Sequence, residues 1–206
     1  MILFCCMAGV LCGLLSGGRP RHILQAHFAH WPMLLLSLCC EWLLASLWLQ
    51  EVLPDGETHL TVRLALALAQ YLLVGFFLFQ NRQKAGMIAV LTGSAMNGMV
   101  IVANGGRMPI GSAILRYGDS AAKRIPDAPH YFLAQGHEPL LWAADLIPLY
   151  PYMVSIGDLA IGLGMFMLGI WLTKAKPESF FPEKKLKKRS TFDILRSGKK
   201  TSEKRM

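Results

Sequence analysis

Seven polar residues interrupt an otherwise apolar chain where they could do chemistry: Glu41, Gln70, Asn97, Asn104, Arg107, Asp145 and Asp158. They sort into two groups by depth in the hydrophobic segments that carry them. Glu41 lies ten residues into one segment, Gln70 ten residues before the end of the next, and Asn97 eleven residues into the one after that. At a rise of about 1.5 Å per helical residue, all three lie about 15 Å deep, near the middle of a bilayer. An ionisable group at that depth costs roughly 3 kcal/mol on insertion scales and marks a functional position by default. If the three side chains face each other, Glu41 can be a proton or cation site. The competing reading is a hydrogen-bond clamp between helices, worth about 0.6 kcal/mol per bond. The clamp carries more weight, because no second ionisable residue lies at that depth.

The second group sits where hydrophobic segments end. Asn104-Gly105-Gly106-Arg107-Met108-Pro109 has the chemistry of a helix stop, with glycine or asparagine left-handed and proline preventing resumption. Ser155-Ile156-Gly157-Asp158 has the spacing of a capping box that opens the next helix. Arg107 is expected to converge with Asp145 and Asp158. A structural arginine–carboxylate pin for the loop uses these residues, and so does a site for an anionic headgroup or a small zwitterion. The pin is the preferred reading.

Five hydrophobic segments must position these groups, at about residues 1–17, 31–50, 62–80, 86–104 and 153–172. The expected fold is therefore all-α: an integral membrane protein of five transmembrane helices, with a long outer loop over residues 105–152 and a basic tail over 173–206. Gly9, Gly13 and Gly17 recur on one face of the first segment, and Ala89, Gly93 and Asn97 on one face of the fourth, the small-residue spacing that lets helices approach closely. The first segment has neither the basic start nor the cleavage pattern of a secretory signal and reads as a span. Pro54-Asp55-Gly56 turns the chain inside an acidic hairpin over residues 51–57. A short interfacial helix is expected with Ile23, Leu24, His27, Phe28 and Trp31 along one side. Leu140 to Tyr150 is expected to form a helix on the membrane surface, with Trp142, Tyr150 and Tyr152 at headgroup level.

Composition agrees with a membrane domain carrying an appendage. Charged residues make up 17% of the 206, against roughly 25% in soluble domains, and mean hydropathy is +0.39. The net charge of +8 is concentrated in the last 33 residues, which hold 12 of the 21 lysines and arginines. Sixteen basic residues fall on the side of that tail and five on the other, so the positive-inside rule places the N-terminus outside and the tail in the cytoplasm. Lys184, Lys185, Lys187, Lys188 and Arg189 would attract anionic lipid headgroups at about 1 kcal/mol per charge. Nucleic-acid binding is the weaker reading of that cluster, since the positive-inside bias already accounts for it. Cys5, Cys6, Cys12, Cys39 and Cys40 all lie in apolar runs and read as buried hydrophobes rather than a disulfide framework.

Catalytic signatures are missing from the sequence: it has no His-Glu-x-x-His, no Gly-x-Ser-x-Gly and no phosphate-cradling glycine loop. His22, His27 and His30 read as facing headgroups. His130, His137, Asp127 and Glu138 form a weak metal or acid–base set in the outer loop. No cofactor or metal is called for.

The Asn104–Pro109 motif, the Asp145-Leu-Ile-Pro148 step and the Ser155–Asp158 step together resemble a family of small bacterial multi-pass membrane proteins catalogued as domain of unknown function 5317. The likeness covers roughly residues 1–172. It departs at Ala143-Ala144-Asp145, where the family pattern reads Leu-Gly-Asp. The resemblance implies a bacterial plasma-membrane location and brings no activity with it. Two functions stay open, the first preferred and the second its alternative. One is a non-enzymatic accessory component that binds a protein partner. The other is a protein that handles a small solute, ion or lipid through Glu41 or the Arg107–Asp158 site.

Overall fold

The computed structural model describes residues 1–46, 57–118 and 130–174. The acidic hairpin up to residue 56, the end of the second segment and the basic tail, Lys184 to Arg189 included, lie outside the described residues, as does the unit Pro177–Met206.

All five apolar segments are helical. Among the described residues the helices are α1 (Ile2–Leu15), α2 (Pro20–Gln25), α3 (Trp31–Ala45), α4 (Glu57–Gln80), α5 (Met87–Ala103) and α6 (Ile156–Lys174). Prolines open α2 and α3, in the first turn where a missing N–H leaves no bond unmade. α4 starts at Glu57, earlier than expected, and reaches 24 residues. Among the described residues, two helices are long and apolar enough to cross a membrane, α4 and α6; α1, α3 and α5 are apolar but shorter. Only 22% of the α4 window and 39% of the α6 window is buried, so neither is wrapped as a core helix would be. The expected interfacial helix is smaller than its apolar spacing indicated: α2 stops at Gln25, before His27, Phe28 and Trp31.

α1 packs on α6, α6 on α5, α5 on α4 and α4 on α3. Missing side chains hold the first two seams together. A Cβ on Gly9 would run into the α6 backbone at Phe166, one on Gly13 into the Thr173 hydroxyl of α6, and one on Gly169 would meet Cys6 and Val10 of α1. Gly17 is not part of that seam; it sits beyond the helix end at φ +91° with open space around it. Across the second seam, Gly86 and Gly93 of the α5 side abut Gly164 and Gly157 of α6. Near one end the apolar core joins Phe77, Leu78, Met87, Val90, Ile161 and Leu168.

Beyond α5 the chain makes strands rather than a surface helix. Asn104 caps α5, its side chain donating to the Val100 carbonyl at 2.8 Å and to that of Pro139 at 3.0 Å. Gly105 and Gly106 are left-handed, at φ +66° and +82°, and Gly106 N–H closes back on Ile101 O. β1 (Met108–Ile110) follows, wholly buried, and pairs in parallel with β2 (Tyr131–Leu133). The expected helix over Leu140–Tyr150 is absent. In its place are a single 3₁₀ turn, Leu141–Ala143, and an antiparallel hairpin of β3 (Ile147–Leu149) with β4 (Tyr152–Val154). Pro148 and Pro151 explain this, since each removes a donor a helix would need and restricts the residue before it to extended backbone. Trp142, Tyr150 and Tyr152 are exposed there, with Tyr150 edge-on to Tyr117.

Candidate functional site

The structure brings most of the seven polar residues around one cavity of about 420 Å³. α3 contributes Ser37 and Glu41, α4 Gln70 and Tyr71, α5 Ser94 and Asn97, and α6 Asp158. The outer loop contributes His130, Tyr131 and Asp145, and the walls between them are apolar, with Leu34, Val74, Ile101 and Ile161 among them. The two depth groups are thus neighbours in space.

Within the cavity the pairings differ from the expected trio. Gln70 Nε2 donates to Glu41 Oε2 at 2.5 Å, so these two meet as their matched depths require. Asn97 bonds elsewhere. Its Nδ2 donates to Asp158 Oδ1 at 2.8 Å, and its Oδ1 accepts from Ser155 Oγ at 2.8 Å. Ser155 and Asp158 form the expected capping box: Asp158 N–H donates to Ser155 Oγ (2.9 Å) and Ser155 N–H to Asp158 Oδ2 (3.1 Å). The cap and Asn97 make one closed network at the α5–α6 seam. Gly157 permits it, because a Cβ there would occupy the place of the Asn97 side-chain carbonyl.

Asp145 is held by its backbone. Its N–H donates to Pro109 O at 3.2 Å, and its carbonyl accepts from Gly111 N–H at 2.9 Å, so it lies alongside β1 as a bridge to Ile110. Ala144, where the family pattern has glycine, sits at φ −77°, ψ 179°, extended backbone that any residue adopts. The Asp145 side chain is 6% exposed and lines the cavity, and its Oδ1 has no hydrogen-bond partner. Burial, followed by the charge of Asp158, pushes its pKa up to about 7.

Arg107 does not join the carboxylates. Its guanidinium donates to the Tyr131 carbonyl and stacks over the Phe132 ring at 5.5 Å, and no ion pair links it to an acid among the described residues. The reason is β1–β2 pairing: it sets β2 beside the residues that follow Arg107, within reach of its side chain. Burial holds the Arg107 pKa below its ordinary value. Asn104 likewise serves the helix cap and not the cavity.

The loop's weak metal set is also redistributed. His130 turns inward, its Nε2 3.8 Å from Glu41 Oε1. Burial lowers the His130 pKa, Glu41 opposes that, and Arg63 reinforces it. Glu138 instead accepts from the N–H groups of Gln135 (2.6 Å) and Gly136 (2.9 Å), which closes a turn and lowers its pKa. Asp127 lies outside the described residues, and among those described no three metal-ligating side chains gather.

Tyr71, Ser94 and Tyr131 line the cavity without having been expected there from the sequence, and neither the burial of Arg63 nor the inward course of His130 was expected. For α4 a signal was present. Arg63, Ala67, Gln70, Tyr71 and Val74 fall at offsets of 0, 4, 7, 8 and 11, one helix face, and the last four line the cavity while Arg63 is buried against Gly106.

A family of unknown function, DUF5317, matches residues 25–170. The chain belongs to this family. The match begins after α1 and runs from α3 into α6, so every polar side chain lining the cavity falls within it. No curated protein and no solved structure matches the chain.

Proposed function

We propose that this DUF5317 member is a multi-pass protein of the bacterial plasma membrane that binds a small solute in the cavity between α3, α4, α5 and the outer loop. One observation carries the reading: three carboxylates, Gln70, Asn97 and His130 converge on a single space of about 420 Å³ with apolar walls. Pockets that hold small molecules have this make-up, a few placed polar groups in a mainly apolar concavity. Five apolar helices support the membrane assignment, as do the outward-facing Leu3, Phe4, Leu11, Trp42, Leu72, Ile88 and Leu163. Such a surface is unsuited to water and suited to lipid. The N-terminus is outside and the basic tail cytoplasmic, where the tail meets anionic headgroups. On this reading the protein is not an enzyme and uses no cofactor.

Thermal unfolding of the purified full chain, with a panel of cationic, anionic and neutral solutes, tests the binding claim. At least one solute should raise the unfolding temperature of the wild type, and the rise should vanish in Ser94→Phe, which fills the cavity from α5. The accessory role is favoured instead if no solute shifts unfolding while one protein co-purifies in fixed stoichiometry.

A further inference from the structure

The acids around the cavity are unequal in what they have left to give. Both Asp158 oxygens are engaged, by Asn97 and by the Ser155 N–H. Glu41 accepts from Gln70 on Oε2, while its Oε1 lies 3.8 Å from His130 Nε2 and the side chain is 47% exposed. Asp145 alone among them is almost wholly buried with an oxygen unpartnered, and it lines the cavity. A buried acceptor without a donor is rare in a native interior and marks a place where something else donates. Arg107, the cation expected to fill that place, donates instead to Tyr131 O and stacks over Phe132, with its Nε left unpartnered.

We propose that the solute is an organic cation with an apolar body, and that its head displaces one proton from Asp145 as it binds. This rests on the reading of the cavity as a solute site. In the exchange, an ammonium head donates to Asp145 Oδ1, the carboxyl proton leaves to water, and no bond within the solute changes. The surroundings favour a cation over an anion. Asp158 faces Asp145 from α6 and Glu41 lines the α3 wall, while neither Arg63 nor Arg107 lines the cavity. Tyr131 from β2 and Tyr71 from α4 line the cavity with aromatic side chains, which suit a cation, and Leu34, Val74 and Ile101 suit an apolar body. Burial lowers the His130 pKa against the opposing pull of Glu41, which disfavours a competing positive charge there. Asp145 has a pKa of about 7 through burial and the Asp158 charge, so its proton is present and releasable near neutral pH.

The test is calorimetric titration of the full chain in detergent with hexylammonium chloride, and with sodium hexanoate as the anionic counterpart. Each is run in two buffers of different ionisation enthalpy, with protein-free micelles subtracted. Hexylammonium should bind with release of about half a proton at pH 7, nearly a whole proton at pH 6 and almost none at pH 8.5. Its affinity should be about tenfold weaker at pH 6 than at pH 8. Asp145→Asn should abolish proton release and flatten the pH dependence, and Asp145→Glu should retain both. Hexylammonium binding without proton release, or release unchanged in Asp145→Asn, overturns the exchange. Hexanoate binding in place of hexylammonium overturns the cation assignment but leaves the solute site standing. If neither binds, the inference falls, and the wider solute panel with Ser94→Phe decides separately whether the cavity is a site at all.

Discussion

The α5–α6 seam and the β1 edge of the same cavity use aspartate to opposite ends. At the seam, Asp158 is locked on both oxygens by Asn97, Ser155 and the helix start, with two facing glycines keeping the backbones in contact. At the edge, Asp145 is fixed only through its backbone, and its side chain is left with an unmet acceptor. The first carboxylate holds helices together; the second stores a cost that the fold tolerates. A buried polar group that costs stability and lines a cavity is what a binding site is expected to contain. The two carboxylates therefore differ in how much of their hydrogen-bonding capacity the fold itself meets.

Substitutions that blur this contrast should have graded effects. The largest belongs to Gly157→Val. Its side chain would collide with Asn97 and Gly93, open the seam and cut the cap network, a loss on the order of 5 kcal/mol once overpacking and lost hydrogen bonds add. Little folded protein should survive extraction, as size-exclusion chromatography would reveal; a well-folded variant would show that the seam does not depend on this contact. Asp145→Asn comes next and acts in the other direction. The folded pKa of about 7 lies above the ordinary aspartate value, so the wild type loses stability as pH rises from about 4 to 7. Three pKa units correspond to about 4 kcal/mol at most. The variant should therefore match the wild type near pH 4 and unfold at a higher temperature at pH 8, and a lower unfolding temperature at pH 8 would reverse the assignment.

Ser155→Ala should cost about 1–2 kcal/mol, with the same penalty at pH 5 and pH 8, because it removes a cap acceptor and the donor to Asn97. A penalty that appears only at high pH would mean that Asp158, too, is poorly compensated. The smallest effect is expected for Arg107→Lys, about 1 kcal/mol or less, since the ring contact and the bond to the Tyr131 carbonyl are partly exposed. Solute binding should persist in this variant, because Arg107 is outside the cavity lining. Abolished binding would restore Arg107 to the site.

Much of this layout could be read from the residues. Apolar runs and their glycine and proline punctuation located α1, α3, α4, α5 and α6, because these signals are local. The cap at Ser155–Asp158 and the stop at Asn104–Gly106 were legible for the same reason: each is decided within a few residues of itself. Depth counting paired Glu41 with Gln70 correctly, but depth is one coordinate and rotation about the helix is another. Asn97 has the right depth and faces α6, a choice set by Gly93 and Gly157, two positions where absent side chains decide the contact. Arg107 was misplaced for a different reason. Charge complementarity suggested Asp145 and Asp158, whereas the outcome depended on parallel β1–β2 pairing across residues 111–130, a non-local event without a periodic signature. His130 reached Glu41 by that same pairing, since Met108 N–H donates to its carbonyl at 2.7 Å.

The most direct test of the contrast is the ionisation of the two aspartates themselves. Carboxyl carbon resonances of the full chain, labelled at aspartate, can be followed by nuclear magnetic resonance from pH 4 to 9, with Asp145→Asn identifying its own signal. The Asp145 resonance should titrate with a midpoint at about 7 and disappear from the variant's spectrum. A midpoint in the ordinary aspartate range, about 4, would mean that Asp145 is solvated or paired, and would remove the basis for treating it as the poised group of the cavity.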